Sequence, residues 1–96
     1  MARGFITVKK SDETLIASQV PAVISNEIYT EGSTLESLET TIISERTRQF
    51  KISRQPPLDT EIDIGSLIEY GDISYAVIRR SDTSSRRMTL TGVNRI

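Results

Sequence analysis

From Leu67 onward, apolar and polar residues alternate with the period of two expected of half-buried strands. Leu67-Ile68-Glu69-Tyr70 and Ile73-Ser74-Tyr75-Ala76-Val77-Ile78 flank the dipeptide Gly71-Asp72. A two-residue loop with Gly first suits a type II′ turn, because that position needs a positive φ and Gly adopts it without a Cβ clash. The turn fixes the register: Tyr70 faces Ile73, Glu69 faces Ser74, Ile68 faces Tyr75 and Leu67 faces Ala76. Ile68, Tyr70, Ile73, Tyr75 and Val77 then share one apolar face.

A second hairpin is expected to turn at Ser81-Asp82-Thr83-Ser84-Ser85 and return along Arg86 to Val93. With all five residues in the loop, Arg80 pairs with Arg86 and Arg79 with Arg87, and Ile78 and Ala76 lie beside Met88 and Leu90. Both faces of the central strand are then apolar. This fits a small closed barrel, or a sheet that also meets another subunit.

Upstream, Phe5-Ile6-Thr7-Val8 reads as a first strand. Leu15-Ile16-Ala17 and Val20-Pro21-Ala22-Val23-Ile24 form a second, interrupted by Pro21. Proline has no N–H for a central ladder, so this strand lies at an edge or carries a bulge. Tyr29 to Thr41 is acidic and rich in small residues. Ser33 and Glu36 have capping-box spacing, and Leu35, Leu38 and Ile42 follow at helical spacing, so the segment is expected to be a long loop or one to two turns of helix. In the run from Ile42 to Arg54, Arg46, Arg48, Phe50 and Ile52 alternate with Thr47, Gln49 and Lys51. That is a long strand whose apolar end enters the core and whose arginine end runs into solvent, a channel or an interface. Pro56-Pro57 ends it, and Leu58 to Ile64 is an acidic connector. The expected fold is all-β, a small antiparallel barrel or sandwich with a long loop or short helix after the second strand.

Ninety-six residues make one domain, 1–96, and 36% hydrophobic residues with five aromatics make a thin core, which favours stabilisation by oligomerisation. The absence of cysteine and histidine removes disulfides, thiolate chemistry, the commonest metal ligand and the commonest general base at neutral pH, and weighs against an enzyme. No apolar leader or membrane-length run occurs, so a soluble protein with no membrane partner is expected. The net charge of −1 hides blocks of alternating sign: −3 over residues 1–40, +3 over 41–55, −5 over 56–72 and +4 over 73–96. Such blocks suit contact with complementary blocks on neighbouring subunits.

Two clusters stand out chemically. On an extended segment, Asp59, Glu61 and Asp63 project to one side and offer oxygen ligands, but they match no calcium-loop spacing and read as surface acidity; no metal or cofactor is expected. Arg79, Arg80, Arg86 and Arg87 gather at a hairpin tip. Like charges across a ladder destabilise it, so an acidic partner or a phosphate backbone would account for them. There is no glycine-rich phosphate loop and no nucleophile motif.

Three stretches together resemble the C-terminal half of the small head closure proteins of tailed bacteriophages, also called stopper or head-to-tail joining proteins. They are Arg46-Thr47-Arg48-Gln49-Phe50-Lys51-Ile52, then Ile64-Gly65-Ser66 through the Tyr70-Gly71-Asp72 hairpin to Ile78, then Arg86-Arg87-Met88-Thr89-Leu90. The resemblance covers about half the chain. The N-terminal half departs from the family, having Pro21 and no tryptophan in the second strand. Neighbouring tail-completion proteins with related barrels stay open.

The resemblance implies a virion protein of the neck, assembled in the host cytoplasm as a homo-oligomeric ring between a portal or adaptor protein and the tail. Such a ring extends the DNA channel, helps retain packaged DNA and docks the tail. It places Glu31, Gly32, Ser33, Thr34 and Glu36 on a channel-facing loop. Arg46, Arg48, Arg79, Arg80, Arg86 and Arg87, with Tyr70 and Tyr75, are the expected subunit or partner interface. The competing expectation is an SH3-like or OB-type barrel that binds nucleic acid through the same six arginines.

Overall fold

The computed structural model describes residues 2–36 and 39–95, with side chains described outside 30–44 and 95. Seven strands and one helical turn follow in order: β1 (Ala2–Lys9), β2 (Leu15–Ile24), β3 (Ile28–Glu36), β4 (Glu39–Ser53), α1 (Leu58–Glu61), β5 (Leu67–Tyr70), β6 (Ile73–Ser81) and β7 (Arg87–Arg95). All pairings are antiparallel, in the order β2-β1-β5-β6-β7-β4-β3, and a further β2–β4 pairing closes six of the strands into a barrel, with β3 as the extra strand. The all-β class expected from the alternation is the one observed, and of the barrel and the sandwich it is the barrel that forms.

The β5–β6 hairpin has the register that its turn dictates: Tyr70↔Ile73, Glu69↔Ser74, Ile68↔Tyr75 and Leu67↔Ala76. Gly71 takes φ +61°, the left-handed value that a type II′ turn demands of its first central residue. Ile68, Tyr75 and Val77 are buried, and Tyr70 and Ile73 pack against them. Ile6, Val8, Val20, Ala22, Ile24, Phe50, Ile52, Met88 and Leu90 complete the interior, with Leu58 and Ile62 added from either end of α1. The Phe50 ring meets Tyr75 edge-on at 5.4 Å between centroids and Tyr70 at 6.3 Å, a geometry that aromatic quadrupoles favour.

The β6–β7 register differs from the expected one. Arg80 faces Leu90 and Arg79 faces Thr91, a slip of four residues, and a bulge lies between Val77 and Arg79. The chain between Ser81 and Thr89 forms a longer loop tied to itself and to β4. Ser84 Oγ accepts the N–H groups of Arg86 and Arg87 at 3.2 and 3.1 Å, and Arg54 N–H bonds to Arg86 O at 2.8 Å. Met88 and Leu90 therefore point into the core, and the bulge leaves Ile78 50% exposed. The two apolar faces expected of the central strand reduce to one plus an isolated outward isoleucine.

The segment expected as a loop or helix is a pair of strands. Ile28 to Glu36 pairs residue for residue with Glu39 to Thr47, including Ser33↔Ile42 and Leu35↔Thr40. The β-branched run Thr40-Thr41-Ile42-Ile43 favours a strand, and a partner strand outweighs one local capping signal. Leu38 lies outside the described residues. β4 leaves β7 at Glu45↔Arg95, so among the described residues its first six pair with β3 alone, and the two strands form an arm beyond the β4–β7 ladder.

Pro21 behaves as its chemistry requires. β2 carries register shifts against β1 and a left-handed Gln19 at φ +55°, so the strand is bulged. Its pairing with β4 covers only Val23↔Lys51 and Ile24↔Phe50, with Ser25 N–H continuing to Gln49 O at 3.0 Å. That bond fixes the phase of the ladder. Alternate residues 25, 23 and 21 direct their N–H groups at β4, and Pro21 has none to give. The barrel closes along this short seam, and β2 and β4 are unpaired below it.

Candidate functional site

The seam sets up a groove. On the outer wall Arg3 (β1), Val23 (β2), Lys51 (β4) and Thr89 (β7) are successive cross-strand partners and form one row. Two residues along, Phe5 stands opposite Pro21 and Ser53 opposite Arg87. Because β2 and β4 do not pair between these residues, the wall opens into a groove of about 410 Å³ lined by Arg3, Gly4, Phe5, Pro21, Ala22, Val23, Lys51, Ile52, Ser53 and Arg87. Three of these are cations and none is an anion. None of the three has an ion pair among the described residues, whereas Lys9, Lys10, Arg46, Arg54 and Arg80 each pair with a carboxylate. Phe5, 62% exposed, stands at the edge of this positive groove.

The six arginines read from the sequence do not act alike. Arg48 points along the inner face at one end of the barrel. Its Nε donates to the Tyr75 hydroxyl at 2.9 Å, its Nη1 donates to Ser25 O at 2.9 Å, and its guanidinium carbon lies 5.4 Å from the centre of the Tyr70 ring. Arg46 reaches Glu27 at 3.5 Å. Arg80 donates to Ile62 O at 2.7 Å and to Asp82 Oδ1 at 3.1 Å, and Arg54 lies 3.5 Å from the other oxygen of Asp82. Asp82 thus draws two arginines together. Arg79, Arg86 and Arg87 have exposed side chains with no ion pair among the described residues. The opposed Arg80–Arg86 and Arg79–Arg87 pairs do not form, because the longer loop carries Arg86 and Arg87 over to β4.

Tyr75 was expected on a partner surface but is fully buried, so its ring belongs to the core. Tyr70 is half-buried beside it. Glu31, Gly32, Ser33, Thr34 and Glu36 belong to β3 by backbone pairing, and their side chains lie outside the described residues. Asp59, Glu61 and Asp63 do not share one side of an extended segment, since Leu58–Glu61 is a helical turn; Glu61 pairs with Lys10 at 3.1 Å and Asp63 accepts the N–H of Ile64 at 2.7 Å. Among the described residues no helix is long and apolar enough to cross a membrane.

Sequence reasoning missed the groove. Arg3, Lys51 and Arg87 lie on three different strands; the β4–β7 ladder sets Lys51 near Arg87, and only closure of the barrel between β2 and β4 brings Arg3 to them. The available signal was Pro21, which marks where that closure must fail. No family model and no curated protein sequence matches the chain.

Proposed function

We propose that this chain is a non-enzymatic structural subunit that assembles with copies of itself into a ring, in the manner of the tailed-phage head closure proteins that its C-terminal half resembles. The observation that carries the reading is the β3–β4 arm. β3 runs for nine residues, stands last in the strand order and, among the described residues, pairs with β4 alone, which leaves its other edge open. An open edge of this length is a template for pairing with another chain. Ile28 and Tyr29 at the base of the arm are 62% and 53% exposed, which leaves an apolar side chain on each face of the strand. An arm that meets a different surface of the next copy makes a head-to-tail contact, and such contacts close into rings when the rotation allows.

In this reading the ring sits in the virion neck between a portal or adaptor protein and the tail. The DNA passes through it, and the open edge of the arm joins neighbouring subunits. Mass photometry and negative-stain electron microscopy of the purified chain, alone and with portal complexes, test the assignment. A ring, or a portal-bound annulus, is the expected result; a monomer at every concentration that also fails to dock overturns it.

A further inference from the structure

We propose that the groove across the β2–β4 seam binds single-stranded nucleic acid, with Arg3, Lys51 and Arg87 on the phosphates and Phe5 stacked on a base. The proposal does not rest on ring assembly, since every residue it uses lies on the wall of one barrel.

The charge argument comes first. In a protein of net charge −1, three cations line one groove with no carboxylate, among the described residues, between them or paired to them. Arg3 and Lys51 stand two strands apart, about 10 Å between backbones, and Arg87 lies one strand and one row beyond Lys51, so the positive charge follows a bent line across the wall. A small ligand bearing one phosphate would need these groups to converge on a point. A line of cations suits a chain of phosphates.

The second argument is Phe5. A positive groove with an aromatic ring at its edge is the arrangement that holds single strands irrespective of sequence, because every base has a face to stack. An acidic peptide would satisfy the cations and leave this ring without a planar partner. A duplex would satisfy the phosphates, but its bases are already stacked. The groove volume of about 410 Å³ lies in the range that accommodates a nucleotide-sized group, and Ser53 supplies a hydroxyl beside Arg87.

The test is fluorescence anisotropy of a labelled twelve-residue oligothymidine against the intact chain over a series of salt concentrations. Saturable binding is expected, and three phosphate contacts give a slope of log K against log salt of about −2. Lys51→Ser and Arg87→Ser should each make that slope shallower by about 0.7. Phe5→Ala should weaken binding about fivefold or more and leave the slope unchanged. Arg79→Ser, an exposed arginine outside the groove, should change neither.

Absence of binding at low salt overturns the proposal, as does a Phe5→Ala variant that binds like the parent. Equal affinity for a duplex, or equal competition by polyglutamate, replaces it with general attraction of a polyanion. An Arg79→Ser loss as large as that of Lys51→Ser has the same meaning. Circular dichroism melts of each variant separate lost binding from lost folding, and mass photometry of the same samples reads ring formation separately.

Discussion

The Nε of Arg48 donates to the phenolic oxygen of Tyr75 at 2.9 Å, joining β4 to the first half of β6 inside the barrel. Tyr75 is fully buried, so its hydroxyl depends on this partner for satisfaction, and Arg48 in turn fixes the β2–β3 connection through Ser25 O at 2.9 Å. Tyr75→Phe keeps the ring in the core but strands the guanidinium N–H. It is expected to lower unfolding stability by about 1–2 kcal/mol in urea titrations. Arg48→Lys should not restore the parent value, because an ammonium cannot direct two donors along the fork that reaches Tyr75 and Ser25.

Gly92 is buried where β7 passes beneath the same tyrosine. A Cβ at this position would stand 2.7 Å from Tyr75 Cβ and 3.3 Å from Phe50 Cε2, and the first of these is a near-backbone atom that cannot swing away. Gly92→Ala is therefore expected to destabilise by about 1–3 kcal/mol through overpacking. Thermal melts followed by circular dichroism check this, and Gly92→Ala should also shift the Tyr75 and Phe50 ring resonances.

Gly71 meets no steric barrier, since nothing lies within 4 Å of an added Cβ, but its φ of +61° is left-handed. Gly71→Ala should cost about 1–2 kcal/mol from backbone conformation alone. Gly71→Asn should cost less, because Asn tolerates that region better. Comparing the two in the same denaturant titration separates backbone strain from lost contacts.

Asp12 gives the acid side of the stability profile a defined contribution. Hydrogen bonding from Thr14, through its side chain first and its backbone N–H second, holds the Asp12 carboxyl below the ordinary value of 3.8; the N–H contact is 3.0 Å. With the folded value depressed, the stabilisation is present above the unfolded value and is lost as pH falls through the folded one, that is, below about pH 4. Asp12→Asn should flatten that part of the acid profile. Titration of the Asp12 carboxyl carbon by NMR should give a midpoint below that of an unstructured peptide.

The legible parts of the fold were those set by local chemistry. A two-residue loop with Gly71 leaves no slack, so the turn alone decides which residues face each other. The loop after Ser81 has no such constraint. Ser84 Oγ accepts the backbone N–H groups of Arg86 and Arg87, and the chain then pairs with β4, a choice between two partner strands that adjacent residues do not encode. The β3–β4 arm was misjudged for a related reason. Ser33 and Glu36 carry a helix-start pattern, whereas the strand state depends on a partner segment that begins only at Glu39. The groove was the least legible feature, since Arg3 and Lys51 become neighbours only after the ends of a six-strand sheet have met. Pro21 was read correctly as an interruption, but a single chain position does not say what the interruption exposes.

The seam has a mechanical meaning as well. A barrel has no first or last strand, but here closure rests on two residue pairs between β2 and β4, against nine between β4 and β7. Unlatching those two pairs turns the closed wall into an open seven-strand sheet, with every other ladder intact. Sub-global openings of a protein follow its weakest cooperative boundary. The amides of Val23, Ser25 and Lys51 are therefore expected to exchange with solvent sooner than those of the β4–β7 wall.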